Sequence, residues 1–414
     1  MVGERRAMSA HPAPSKVAMA PSETAPRSVP AALAHRFREV RRRTRALCAP
    51  LTPEDHVVQP MADASPAKWH LAHTTWFFEA FVLDRAAPAF DPQFEFLFNS
   101  YYEAVGARVE RPRRGLLSRP PLERVHAYRD AVDDRMERAL AAGALDDDAL
   151  DRLELGLHHE QQHQELILTD LKYMLGTQPL APAYRELPRA APRPPAPLAW
   201  HDEPGGIVEI GTSAPGFAFD NERPRHRVLV APYKLAARPV SNAEVLAFIA
   251  DGGYRDHRLW LSDGWAVVNA ERWTAPLYWI ARDGDFVMYE LAGVRAVDPG
   301  ETACHLSLYE ADAIARWLGA RLPSEAEWEH AARHADPAAG NFADADRLHP
   351  DRAPDGDHDH APAPLAQVFG DVWEWTQSSY SAYPGFRPLA GALGEYNGKF
   401  MSGQNVLRGG SCFT

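Results

Sequence analysis

Residues 155–175 read LGLHHEQQHQELILTDLKYML. The run contains no proline, and its one glycine, Gly156, stands at the start, so nothing in it interrupts a helix. On that helix His159 and His163 sit at i and i+4, on one face and about 5–6 Å apart, close enough for two imidazoles to hold one metal ion. Glu160 and Gln161 point elsewhere, while Gln162 lies beside the ligand face, within reach of a bound substrate. The string His159-Glu160-Gln161-Gln162-His163 also matches the H-E-x-x-H pattern of zinc proteases. The turns that follow offer no good candidates for the downstream ligands of that class, which counts against it.

Four stretches carry helix-like apolar spacing, about 31–48, 66–86, 121–142 and 148–175, and Pro- and Gly-containing loops join them. They predict an antiparallel four-helix bundle over residues 31–177, with a core able to hold a ligand. In such a bundle a third metal ligand comes from another helix. Trp69-His70-Leu71-Ala72-His73 offers two choices. His73 shares a stripe with Trp69, Trp76 and Phe77 and so faces inward; His70 is the alternative. Three neutral imidazoles with open positions suit zinc or iron(II), and spacing alone does not choose between them.

Composition changes on both sides of the bundle. Residues 1–30 are rich in Ala, Pro and Ser and read as a mobile tail without the apolar segment of a secretory signal. Residues 178–204 contain eight prolines and read as an interdomain linker. From Gly205 to Thr414 the chain is Gly-, Trp- and Tyr-rich with short apolar runs, such as Arg227–Ala231 and Val406–Leu407, and helices at about 307–318 and 324–333. Ser324 and Glu327 occupy capping-box positions. This half reads as α+β. The stretch 341–365 includes Asp357-His358-Asp359-His360, which reads as a solvated loop rather than a metal site.

The net charge of −12 over 414 residues argues against a nucleic-acid binder. No apolar run approaches the length of a membrane span. Three scattered cysteines, Cys48, Cys304 and Cys412, make neither a disulfide framework nor a thiolate zinc site, which fits a reducing cytoplasm.

Residues 65–79, SPAKWHLAHTTWFFE, and 158–165, HHEQQHQE, resemble the ergothioneine-type hercynine sulfoxide synthases. So do Asn99-Ser100-Tyr101-Tyr102, residues 114–120 (RGLLSRP) and residues 396–401 (YNGKFM). Residues 219–222 (FDNE), 239–242 (PVSN), 321–329 (RLPSEAEWE), 370–376 (GDVWEWT) and 407–411 (LRGGS) resemble formylglycine-generating, sulfatase-modifying domains. The resemblance covers roughly residues 35–414. It implies a DinB-like four-helix bundle followed by a C-type-lectin-like formylglycine-generating domain. It further implies Fe(II) held by His73, His159 and His163, hercynine (trimethylated histidine) bound through its imidazole, O2 and a thiolate donor beside it, and a new chalcogen bond at the carbon between the two ring nitrogens. A family tyrosine that gives a proton or hydrogen during oxygen chemistry falls on Tyr101 or Tyr102. Members usually continue for some tens of residues past the Arg-Gly-Gly-Ser motif, which implies either a truncated chain or a shortened domain here.

Gln162, just before ligand His163, is placed to hydrogen-bond the free imidazole nitrogen of hercynine. A cysteine-like donor carries a carboxylate, which an arginine fork suits; Arg114 and Arg408, at motif positions, are the candidates, with Gln404 in the adjoining loop. Trp373-Glu374-Trp375 offers faces for a trimethylammonium, although tryptophans at i and i+2 more often build a core. Where many members have Cys-Asn-Gln, this chain has Ser402-Gly403-Gln404, which removes a polar side chain and opens space. A sister group, the selenoneine synthases, uses a selenosugar donor, so the sulfur and selenium readings stand side by side. Formylglycine generation itself needs a reactive cysteine pair, for which Cys304 and Cys412 lack the context. A redox-neutral, metal-dependent thiol transferase built on the bundle and a non-enzymatic lectin-like protein are the rivals. Only small-molecule substrates are expected as partners, in a monomer or weak dimer.

Overall fold

In the computed structural model, residues 29–83, 87–187, 194–195, 197–354 and 365–414 are described, with side chains from residue 31. Residues 1–28 of the expected N-terminal tail and the Asp357–His360 tract lie outside them, while Val29 and Pro30, expected in the tail, begin the first helix.

Helices α1 (Val29–Cys48), α2 (Ala67–Phe81), α4 (Leu122–Ala141) and α5 (Asp147–Thr177) form the bundle, with a short α3 (Phe94–Phe98) after α2. Each matches an expected stretch to within a few residues. Apolar residues at helical spacing drive their packing: Phe37 and Val40 from α1, Val132 and Met136 from α4, and Leu153 and Leu157 from α5 are all buried. α2 is buried along nearly its whole length, from Ala67 to Phe78, because the other helices cover it on every side. Its close approach to α5 depends on Gly156: a β-carbon there would lie 2.7 Å from Phe78 and 3.0 Å from Phe77. α5 starts on an Asp146 side chain that accepts from the Ala149 amide, with Asp147 and Asp148 in its first turn, where the helix dipole favours negative charge.

The second half is built from small antiparallel sheets: β1 (Trp200–Glu203) with β4 (Tyr233–Ala236), β2 (Gly206–Ile210) with β3 (His226–Val230), a β5–β6–β7 meander (Trp279–Arg282, Asp285–Glu290, Gly293–Ala296), and β8 (Glu374–Ser379) with β9 (Asn405–Arg408). β1 falls inside the stretch expected to be linker, because its backbone pairs in register with β4. Helices α8 (Leu308–Trp317) and α9 (Glu325–Ala332) lie where expected, each opened by a capping box. Two more, α6 (Asn242–Ala250) and α7 (Ser262–Glu271), were not expected, although α6 carries the same Ser241–Glu244 box. α6 and α8 share a second core around Val245, Phe248, Trp260 and Ile314. Among the described residues no helix is long and apolar enough to cross a membrane.

The halves meet along α5 and the α3–α4 connection. Glu165 accepts from Trp373 Nε1 at 2.6 Å and Ser411 Oγ at 2.8 Å, and Glu395 accepts from the Glu103 and Ala104 amides at 3.1 and 2.9 Å.

One charge cluster ties the bundle together. The Glu160 carboxylate, fully buried, accepts from Arg41 Nη1 of α1 at 2.9 Å, from Arg129 Nη2 of α4 and from Thr44 Oγ1 at 2.5 Å. Although burial opposes its charge, the two guanidiniums win and hold its pKa down to about 2. Glu160→Ala leaves two buried cations without this partner and is expected to cost about 3–5 kcal/mol in denaturant unfolding. A folded pKa below the unfolded value means that the Glu160 contribution is complete above about pH 4.5 and lost as pH falls toward 2. Glu160→Gln should flatten the pH dependence of unfolding in that window; an unchanged slope would assign the acid sensitivity elsewhere.

Candidate metal centre

His73 of α2 and His159 and His163 of α5 bring their ligand nitrogens within 4.8 Å of one another, all three side chains buried. Gly156 sets this distance, since it lets α5 settle against Phe77 and Phe78 one turn before His159.

Hydrogen-bond partners fix the tautomers of His73 and His163. His73 Nδ1 lies 2.6 Å from the Phe98 carbonyl, which only accepts, so Nδ1 carries the proton and Nε2 presents a lone pair. That Nε2 faces His159 Nε2 at 3.2 Å. His70 Nε2 lies 3.1 Å from Asp170 Oδ2, and a carboxylate requires a donor there, which leaves His70 Nδ1 as acceptor for His163 Nδ1–H at 2.8 Å. His163 therefore has its Nε2 free of a proton. His70, the alternative ligand in the sequence, thus orients the ligand His163 through a carboxylate–histidine relay. Burial, together with the neighbouring imidazoles, pushes His73 and His163 well below the usual histidine range; burial takes His159 to about 3. Three neutral imidazoles grouped this closely fit a divalent metal ion, with His73 and His163 offering Nε2 lone pairs and His159 Nε2 free to do so once its proton sits on the unpartnered Nδ1.

Glu160 turns away, into the Arg41–Arg129 cluster, so it is not available as the general base of an H-E-x-x-H hydrolase.

The other expected residues lie at different depths. Arg114 is buried, its guanidinium 3.4 Å from the centroid of Trp69, whose ring stacks on His73 at 4.5 Å. Its two Nη atoms donate to Ser65 and Ser100 hydroxyls at 2.9 and 3.0 Å, and burial, helped by the Arg111 charge and only partly offset by Asp170, lowers its pKa to about 9. Arg408 in β9 donates to Glu325 at 3.2 Å and to Glu329 at 2.6 Å. Gln404 is exposed on the turn before β9, beside Gly403, whose φ of +65° is left-handed and whose β-carbon direction opens onto free space. Arg114 and Arg408 thus have different hydrogen-bond partners. Trp373 and Trp375 line a separate cavity of about 890 Å³ that none of the three histidines lines, with their indole N–H groups on Glu165 and the Leu306 carbonyl.

Tyr102 is fully buried, packed among Trp76, Phe77 and Phe81. Tyr101 lies beside it, its ring tilted at 4.9 Å, and meets Phe400 edge-on, and burial pushes its pKa up to about 12. The tyrosine nearest the histidines that sequence reasoning did not assign is Tyr396. Its ring lies 5.9 Å from that of His159 and its hydroxyl donates to Gln162 Oε1. It is contributed by the second half of the chain, from the short helical turns before β9, and burial raises its pKa well above 10. Its signal was present in the 396–401 motif.

Residues 36–167 match the DinB superfamily, and residues 203–414 match the sulfatase-modifying factor enzyme 1-like domain. The chain is 34% identical over 379 residues to a hercynine oxygenase of Mycolicibacterium thermoresistibile, covering 84% of this chain and 80% of that protein. Identity to the hercynine oxygenase of Mycobacterium tuberculosis is 34% over 372 residues, 84% of each chain. A formylglycine-generating enzyme of Streptomyces coelicolor is 30% identical over 281 residues, 56% of this chain and 84% of that enzyme.

His159→Ala and His163→Ala are each expected to abolish stoichiometric metal binding, because two ligands hold the ion poorly. His70→Ala should retain the site but weaken it about 10–100-fold. Metal content after dialysis checks all three, and full loading of either ligand variant would remove that residue from the set.

Proposed function

The chain belongs to the hercynine oxygenase family, and from that premise we propose that it joins a chalcogen donor to the imidazole carbon of hercynine, using iron(II) at His73, His159 and His163 and O2 as oxidant. The observation that carries this reading is the convergence of three neutral, buried histidines from the bundle with Tyr396 from the second domain. Iron(II) supplies the redox centre at which O2 is reduced, which zinc does not. For a thiol donor the step balances as imidazole C–H plus R–SH plus O2 giving imidazole C–S(=O)–R plus H2O. One C–H and one S–H bond break, and O2 takes up four electrons.

This chain's side chains have separate tasks in that reaction. Gln162 hydrogen-bonds the free ring nitrogen of hercynine and turns the imidazole carbon toward the donor. Its Oε1 is held by Tyr396, so the two form one polar wall. Tyr396, with its proton retained by burial, is the group poised to donate it during oxygen reduction. Contacts support Tyr396 over Tyr102, which packs on Trp76 and Phe81, and over Tyr101, which meets the Tyr396 ring edge-on at 6.4 Å but has no ring contact with the three histidines. Trp69, between Arg114 and His73 in the sequence of contacts, holds the His73 ring in plane. A redox-neutral thiol transferase built on the bundle alone has no use for a tyrosine delivered by the second domain.

The test supplies the iron-loaded enzyme with hercynine and a donor, with and without O2, and reads products by mass spectrometry. An O2-dependent adduct is expected; an adduct formed equally without O2 would favour the thiol transferase. Tyr396→Phe should change the product ratio, between coupled product and oxidised donor, more than it changes KM for hercynine. Unchanged products in that variant, with a change in Tyr101→Phe or Tyr102→Phe, would move the role back to those residues.

A further inference from the structure

The cavity of about 890 Å³ that Trp373 and Trp375 line is walled by the second half of α5 and by the second domain. Its faces are mostly apolar, with Tyr173, Leu306, Leu407 and Phe413 among them. One amine reaches it from the helix. Lys172 lines the cavity yet is only 2% exposed, so the approach to its Nζ runs through the cavity. The reaction proposed at the histidine triad makes no use of this residue.

Two bulky residues in left-handed backbone conformation converge on that amine. His305, at φ +64°, brings its Nε2 to 2.6 Å from Lys172 Nζ. Tyr278, at φ +73°, sets its ring centroid 5.2 Å from Nζ, and the two rings meet edge-on at 4.8 Å. Side chains of this size seldom adopt that conformation, and such strain gathers at functional sites. A lysine kept for packing alone buries its charge against several acceptors, as Lys68 does on the Leu117 and Pro120 carbonyls at 2.7 and 3.0 Å. Lys172 has no such set: among the described residues His305 is its one hydrogen-bond partner, and it forms no ion pair. Burial lowers its pKa, with Cys304, Cys412 and Glu290 opposing more weakly, and favours the free amine. Burial likewise keeps His305 neutral, and it keeps the Cys304 and Cys412 thiols, also on the wall, protonated.

A free amine in an apolar chamber is a nucleophile suited to carbonyl carbon. We propose that this cavity is a second ligand site, apart from the metal centre, in which Lys172 holds an aldehyde with an apolar body as a reversible imine and His305 carries the proton. Nζ adds to the carbonyl carbon, and one N–H proton passes through His305 Nε2 to the carbonyl oxygen. The second N–H hydrogen leaves with that oxygen as water. One C=N bond thus replaces one C=O bond, with no oxidant or reductant consumed. The apolar faces take up the body of the aldehyde. A carboxylate on that body would lose hydration there, because the arginines on the wall, Arg238 and Arg321, are already paired with Glu244 and Glu327.

The test treats the full chain with 3-phenylpropanal or with glyoxylate, adding sodium cyanoborohydride to fix any imine. Peptide mapping by mass spectrometry reads the adducts, and the chain's five lysines, Lys16, Lys68, Lys172, Lys234 and Lys399, keep the map simple. With 3-phenylpropanal, labelling at Lys172 is expected to exceed that at the exposed Lys234 about tenfold. With glyoxylate that preference is expected to vanish. Labelling ordered by exposure with both aldehydes, Lys234 ahead of Lys172, overturns the proposal. So does a Lys172 preference that glyoxylate shares, since a reactive amine would then stand without an apolar site. His305→Gln should slow the Lys172 reaction about tenfold or more and leave that of Lys234 unchanged. An unchanged Lys172 rate overturns the proton-carrying role. If circular dichroism shows that this variant does not fold, the wild-type maps decide, because they need no variant. Neither iron nor hercynine is added, so the result stands apart from the reaction proposed at the histidine triad.

Discussion

A single buried carboxylate, Glu160, touches the whole bundle. Arg41 brings α1 to it and Arg129 brings α4, while Thr75 of α2 accepts from Arg41 Nη2 at 3.0 Å and Asp133 takes Arg41 Nε at 2.6 Å. Two guanidiniums against two carboxylates leave the cluster neutral, so its charges are tolerated in a core of Phe37, Phe78 and Met136. Its consequence is rotational. Glu160 can reach both arginines only if α5 is turned so that its neighbour His159, about 100° round the helix, faces α2. The orientation of His159 and, one turn on, His163 follows from an ion pair that takes no part in their chemistry.

The remaining orientation comes from α2 and its surroundings. His73 is pinned on both sides: the Phe98 carbonyl holds its Nδ1, and Trp69 stacks on its ring. His163 is pinned through His70 to Asp170 on its own helix. His73 and His163 are thus each oriented by a group outside the triad, whereas the buried His159 Nδ1 has no hydrogen-bond partner among the described residues. The neutral state of all three rings is set by burial before any ion arrives, so no ligand proton has to be displaced.

The sequence makes the bundle plain because apolar residues repeat at the helical period and because His159 and His163 stand four apart on an uninterrupted helix. The inward stripe of Trp69, Trp76 and Phe77 separates His73 from His70 as well, since both are buried but only His73 joins the triad. Pairings across long separations are not legible in this way. Arg114 looks like an anion receptor by residue type, yet its partners are two serine hydroxyls and an indole face that no spacing rule connects. Tyr396 lies 234 residues from Gln162, and the preceding Pro- and Gly-rich loops carry no periodicity that would aim it. Helix α6 was legible in principle, from Ser241 and Glu244, but it is short and apolar on most sides and so lacks the polar–apolar alternation that flags a surface helix.

Helix α5 contacts both domains, so the second domain bears directly on the geometry around the histidine triad. Successive faces of the helix carry Leu155 on the wall of a cavity that Tyr396 also lines, His159 and His163 in the histidine triad, Gln162 under Tyr396, and Glu165 under Trp373 and Ser411. Because Glu165 and Gln162 are three residues apart, they lie on adjoining turns of one face. Anchoring the second domain at Glu165 therefore fixes where Tyr396 meets Gln162. The Glu395 contacts to the Glu103 and Ala104 amides pin the same segment from its other side, immediately before Tyr396. With both flanks held, the tyrosine has little freedom to swing out, and the distance between its hydroxyl and the histidines becomes a property of the domain interface rather than of a loop.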